Sequence, residues 1–208
     1  YGGTGKIPGL EANSDPMMIA IDDADALPEI SPALTRGQFS AEAANTSEQL
    51  AVLPELYETL KEAVALAKSL GGSREHLLLG PEATEARLFE LNAAGSLSQA
   101  GVVAFSTHGL ISGEFVGIAE PALALAAPTP NASPSSDGFL LASEAATLNL
   151  AAEWVVLSAC NTAAAGQVGG EGLSGLARAF FYAGAERVLA SHWQVRDDAA
   201  RALIVSTF

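Results

Sequence analysis

The sequence predicts an α/β fold built on a mostly parallel central sheet with helices on both faces. Two observations carry this. Short apolar runs at 17–21, 76–79, 102–106, 154–158 and 188–190 recur along the chain and end in small or polar residues, the pattern of buried strands. Amphipathic helical patterns separate several of them, so that strand and helix alternate, as a parallel sheet with crossover helices requires. At 208 residues the chain is long enough for one sizeable core. No internal repeat with a period of about 20 to 50 residues is present, which excludes a helical-repeat array.

The elements follow in order. Residues 1–16 read as loop. Gly2-Gly3-Thr4-Gly5-Lys6 lacks the hydroxyl of a phosphate loop, because Ile7 stands where Ser or Thr should follow the lysine, and no strand precedes it. Residues 17–21 form the first strand, stopped by Asp22-Asp23, and 28–46 read as a connection or accessory hairpin. Residues 1–50 are therefore expected to be an N-terminal part of the same domain, whose body spans 51–208. From Pro54 to Gly71, Leu53, Leu56, Tyr57, Leu60, Val64 and Ala67 recur at three and four, opposite Glu55, Glu58, Lys61, Glu62 and Lys68. That is an amphipathic helix, with Pro54 suited to its first turn and Gly71-Gly72 to its end.

A strand at 76–79 leads to Thr84, the expected N-cap of a helix burying Leu88 and Leu91. After the strand at 102–106, residues 122–126 and 138–141 read as a short strand pair. The tract from 128 to 137 between them holds too few apolar residues to pack and is expected to be an exposed loop. Residues 143–147 form a short helix and 154–158 a strand. A helix over 171–183 is expected to bury Leu173, Leu176, Ala177, Phe180 and Phe181 and to end at Gly184. A strand at 188–190 follows, and Asp197 begins a last helix.

Composition narrows the function. The 24 acidic residues against 10 basic ones give a net charge of −14. That argues against nucleic acid as a partner, since phosphate contacts need clustered Lys and Arg. The charge suits solubility first and steering of basic peptides second. A single cysteine excludes an internal disulfide and fits a reducing, cytoplasmic location. No apolar run approaches the roughly 20 residues of a membrane helix, so no membrane role is expected. No signal peptide is visible, but the chain opens at Tyr1 without methionine and closes at Phe208 within a helical pattern, as expected of a piece of a longer protein. Asn45-Thr46-Ser47 and Asn131-Ala132-Ser133 match the glycosylation sequon, which carries no weight without a secretory context.

Two of the strands end in reactive side chains. Val102-Val103-Ala104-Phe105-Ser106 runs into Thr107-His108-Gly109, and Trp154-Val155-Val156-Leu157-Ser158 into Ala159-Cys160-Asn161-Thr162. A lone cysteine is more often a buried apolar residue than a nucleophile. Here it stands just past a strand end, where open α/β sheets place their sites, and a histidine ends another strand of the same kind. A thiol needs a nearby base or cation to become thiolate at neutral pH, and imidazole is the usual supplier. Gly109 permits close backbone approach to a ligand. His76 and His192 are read as structural. No carboxylate pair, metal-ligand cluster or nucleotide fingerprint stands out.

Ser106-Thr107-His108-Gly109, Leu157-Ser158-Ala159-Cys160-Asn161-Thr162, Gly170-Glu171-Gly172-Leu173 with Ala177-Arg178-Ala179-Phe180, and Val188-Leu189-Ala190-Ser191-His192-Trp193-Gln194-Val195 follow one another. In that order they resemble the signatures of the CHAT-domain family of caspase-like (clan CD) cysteine peptidases. The resemblance runs from about residue 77 to the end. His108 and Cys160 lie 52 positions apart, close to the spacing of roughly 50 in caspases.

The resemblance implies a caspase-like three-layer sandwich and a cysteine endopeptidase acting on polypeptides. His108 would serve as base or imidazolium partner and Cys160 as nucleophile, with the amides of Gly109 and Cys160 as oxyanion donors. Ser158, two before the nucleophile, would help floor the P1 pocket. Being small and neutral, it leaves P1 preference open. Glu171 would contact a basic substrate side chain or simply favour its helix N-terminus; Trp193 would line a neighbouring subsite or pack in the core. No metal or organic cofactor is implied. An activating protein partner or fused domain is, with the 128–137 tract as the place for its effect. Two other classes remain: a caspase-like signalling or scaffold module that binds without cleaving, and a glutaminase-like acyl-transfer enzyme. The latter is disfavoured because its histidine should follow the cysteine.

Overall fold

The computed structural model describes residues 15–20, 59–113, 117–128, 136–159 and 172–190, together with Leu50, Leu53, Leu56 and Phe115. A five-stranded sheet forms its centre, composed of β1 (Asp15–Ala20), β2 (Leu77–Leu79), β3 (Ala100–Ser106), β7 (Trp154–Ser158) and β8 (Arg187–Ala190). The strand order is β2-β1-β3-β7-β8 and every pairing is parallel. The order reverses between β1 and β3, the point at which open α/β sheets bind ligands outside their carboxyl ends.

Side-chain alternation along the strands splits the core in two. Val103, Phe105, Val155 and Leu157 face one side. There they meet α2 (Glu85–Ala93), α3 (Ser96–Gln99), α4 (Ala142–Ala145) and α5 (Gly172–Tyr182) through Leu88, Leu97, Ala145, Leu176 and Phe180. Phe105 and Phe180 stack at a tilt of 39° with centroids 5.2 Å apart. Val102, Ala104 and Val156 face the other side, against Ala63, Leu66 and Ala67 of α1 (Thr59–Ser69). Helices on both faces of a parallel sheet are the α/β architecture that the alternation predicts, and they make the three-layer sandwich that the resemblance implies.

A second, three-stranded antiparallel sheet joins β4 (Gly109–Leu110), β5 (Ala122–Ala124) and β6 (Phe139–Leu141) in that order. The β5–β6 pair was expected. The two-residue β4 was not, since so short a strand carries no periodicity.

Local signals account for several boundaries. Thr84 caps α2 as expected, its hydroxyl accepting the Arg87 amide at 3.2 Å. Gly184 ends α5 at φ +109°, and a Cβ there would stand 2.1 Å from the Leu150 carbonyl oxygen, so only glycine fits. His76 closes a 3₁₀ turn, Arg74–His76, one residue before β2, and its Nδ1 accepts the Ser73 amide at 3.1 Å.

Two expected burials are corrected. Phe181 is half exposed, at 50%, because α5 turns Leu176, Ala179 and Phe180 inward instead. On α1 the buried face is Thr59, Glu62, Ala63, Leu66 and Ala67, while Val64 is 42% exposed. Glu62, expected at the surface, lies inside because a strand residue supplies its carboxylate with a hydrogen bond. The expected connection over 28–46 and the final helix from Asp197 lie outside the described residues.

Candidate active site

Ser106 ends β3 and Ser158 ends β7, and the two are direct partners in the parallel register. Neighbouring strands lie about 5 Å apart, so these two ends form one lip. Beyond it, the Thr107 amide donates to the Ser158 carbonyl at 3.3 Å, extending the pairing by one step. His108 is the next residue, buried at 6% exposure. On the other strand comes Ala159, buried at 1%. Cys160, the residue after it, lies outside the described residues, as do Glu171 and Trp193.

The backbone at His108 is held from the side of the small sheet. Ala124 donates its amide to the His108 carbonyl at 2.9 Å. The buried Thr107 hydroxyl donates to the Ala124 carbonyl. One residue of β5 therefore binds the chain on both sides of the Thr107–His108 peptide unit. Gly109 then pairs with Leu123 in the β4–β5 ladder. Antiparallel partners alternate between bonded and non-bonded pairs. Because Ala124 bonds to His108, the Gly109–Leu123 pair is of the non-bonded kind, and the Gly109 N–H faces away from β5.

Under the lip, on the α1 side of the sheet, lies a buried polar pair that the sequence reading missed. Ser106 Oγ donates to Glu62 Oε1 at 2.8 Å, with Ser106 1% and Glu62 3% exposed. Ser158 follows Val156 by two and so belongs to that same face, half-buried. The spacing of Thr59, Glu62, Ala63, Leu66 and Ala67 contains the signal that could have found Glu62. It is the three-and-four pattern of a buried face with one acid in it.

A second buried acid stands at the base of the small sheet. Glu85, 1% exposed, accepts the Gly138 amide on Oε2 at 2.6 Å, just before β6 begins. Among the described residues its Oε1 has no hydrogen-bond partner. Burial pushes its carboxyl up to about 7, against the pull of the Gly138 amide, with Glu144 and Asp137 adding repulsion. Glu144, which caps the Leu141 amide at 2.9 Å, is also raised, by its own partial burial first.

The arrangement places His108, and a Gly109 amide turned away from β5, just beyond the carboxyl end of β3, beside the strand that leads in sequence to the chain's one cysteine. Among the described residues no helix is long and apolar enough to cross a membrane. Among curated proteins none matches the sequence. The family model of the CHAT domain matches residues 12–208, well beyond the segment whose motifs suggested it. The chain belongs to the CHAT-domain family, a caspase-like family related to clan CD.

Proposed function

We propose that this chain is a cysteine endopeptidase that hydrolyses polypeptides through a His108–Cys160 dyad. The observation that carries the reading is the Ser106–Ser158 register. Ser106 and Ser158 end adjacent parallel strands, and in the sequence His108 and Cys160 each follow one of them by two positions. The imidazole takes the thiol proton, and the thiolate sulfur attacks the scissile carbonyl carbon. The Gly109 N–H, facing away from β5, and the amide of Cys160 receive the charge that develops on the carbonyl oxygen. Such donors are each worth about 3 kcal/mol in comparable sites. The C–N bond then breaks, with the imidazolium giving its proton to the leaving amine and a thioester left on sulfur. Water, deprotonated by His108, attacks the thioester, releasing the acid and regenerating the thiol.

Ser158, Glu171 and Trp193 are the residues proposed to border the substrate side chains. A partner or rearrangement at the 128–137 tract is proposed to control turnover. A binding module that does not cleave is compatible with the same fold, but gives no reason for a His-Gly step and a cysteine beyond paired strand ends. The test is incubation with a peptide library and identification of new chain ends by mass spectrometry. The reading expects new ends with the wild type and none with Cys160→Ala or His108→Ala. Equal cleavage by both variants would remove it.

A further inference from the structure

The backbone bonds of the small sheet form a continuous path from a buried acid to His108. Glu85 Oε2 accepts the Gly138 amide at 2.6 Å, and the Gly138 carbonyl accepts the Leu125 amide at 2.7 Å. Leu125 follows Ala124, whose amide donates to the His108 carbonyl and whose carbonyl accepts the Thr107 hydroxyl. Ala83, two residues before Glu85, accepts the Ala126 amide at 3.0 Å, so the start of α2 grips both chains at the base of the β5–β6 pair. Gly138 is confined there: it has φ +88°, and a Cβ would stand 2.6 Å from Leu50 Cδ1 and 3.2 Å from the Ala126 carbonyl oxygen.

We propose that Glu85 is a positioning residue for His108: by holding Gly138 it closes the base of the β5–β6 pair and so fixes Ala124, which clamps the Thr107–His108 peptide unit. The part concerning catalysis rests on the peptidase reading; the mechanical part does not. Among the described residues, the charged groups that act on Glu85 are Asp137, at the entry to β6, and Glu144 of α4, both acidic. Arg87, two residues on, pairs at the surface with Glu90 at 2.9 Å, and Arg74 pairs with Glu82 at 2.7 Å. The carboxyl is therefore best accommodated neutral, and its ionisation works against closure of the base.

The test compares amide hydrogen exchange at Ala124, Leu125 and Gly138 in the wild type, Glu85→Gln and Glu85→Ala between pH 4 and 8, corrected for intrinsic rates. In the wild type, opening at these amides increases as pH rises toward 7 and then levels off. The ceiling is on the order of 10²-fold, as a carboxyl moved from its ordinary range to near 7 implies. Glu85→Gln, which keeps an acceptor and cannot ionise, removes most of that pH dependence, Glu144 retaining its own smaller part. At pH 4 to 5, where the wild-type carboxyl is neutral, Glu85→Ala raises Ala124 exchange about tenfold, the loss of one buried hydrogen bond, while Val103 and Val155 stay protected.

Unchanged Ala124 exchange in Glu85→Ala at pH 4 to 5 overturns the proposal. So does an equal loss of protection at Val103, which would make the effect one of global stability. If the wild type cleaves peptides, Glu85→Ala lowers kcat more than it raises KM, and Glu85→Gln restores kcat; failure of that rescue overturns the catalytic part. If no peptide is cleaved, the peptidase reading fails while the exchange data still decide the clamp.

Discussion

The amide of Thr107 donates to the carbonyl of Ser158 across 3.3 Å, so that the chain leaving β3 and the chain leaving β7 are tied together before either reaches its reactive residue. This bond continues the Ser106–Ser158 register beyond the sheet proper. Adjacent parallel strands in register bring corresponding residues to the same height, and the proposed His108–Cys160 dyad rests on that relationship.

Thr107 anchors that assembly to the small sheet through its hydroxyl, buried against the Ala124 carbonyl. Thr107→Val keeps the shape and removes the donor, leaving a buried carbonyl short of a partner. The expected cost is about 1 to 3 kcal/mol in urea unfolding. Turnover should fall by more than that loss of folded protein explains, because the Thr107–His108 peptide unit loses one of its two holds.

Ser106→Ala removes the donor to Glu62 Oε1 inside the α1 face of the core. A buried carboxylate deprived of a hydrogen bond should lower stability by about 1 to 3 kcal/mol. Ser106→Thr retains a hydroxyl but adds a methyl in a packed site, and should recover only part of the loss. Denaturant midpoints of the two variants check this.

Glu85 sets the direction of a pH dependence. Its carboxyl is raised in the folded protein, to about 7 from an ordinary value of 4.5. The folded state thus holds the proton more tightly than the unfolded state. The associated stability is complete below pH 4.5 and is lost as pH rises to 7, by no more than about 3 kcal/mol. Glu144, raised for the same first reason, acts in the same direction. Urea unfolding of Glu85→Gln across this range should show a markedly flatter profile than the wild type.

Gly184→Ala places a methyl 2.1 Å from the Leu150 carbonyl oxygen at φ +109°. The clash cannot relax without moving the chain that leads into β8. Gly71→Ala is the control, since φ is +76° and nothing lies within 4 Å. The control should cost about 1 kcal/mol from left-handed strain alone, and Gly184→Ala at least twice that. Thermal unfolding of the pair measures the difference.

Where apolar residues alternate or recur regularly, the sequence was readable. Trp154–Ser158 was expected with the boundaries found, and Thr84 was expected as the cap it is. The errors have a common physical origin in partners that sequence spacing does not reveal. Glu62 was read as a solvent-facing charge because its partner Ser106 is 44 residues away. Phe181 was read as core because Phe180 beside it is, although neighbours on a helix point about 100° apart. Glu85 sits at the first turn of α2, where an acid needs no explanation beyond the helix dipole; only its bond to Gly138, 53 residues on, shows that it is buried. Of the candidate site, the His108–Gly109 step and Ser158 lie at the expected strand end or just beyond it. Cys160, Glu171 and Trp193 lie outside the described residues.

The central claim is that His108 and Cys160 work as a peptide-cleaving dyad, and intact mass after incubation with peptidyl ketone electrophiles differing at P1 tests it most directly. The account predicts a single adduct per chain, selective for one class of P1 side chain and lost in both Cys160→Ala and His108→Ala. No adduct with any peptide, while iodoacetamide still labels Cys160, would contradict it: the thiol would then be accessible but without a working peptide site.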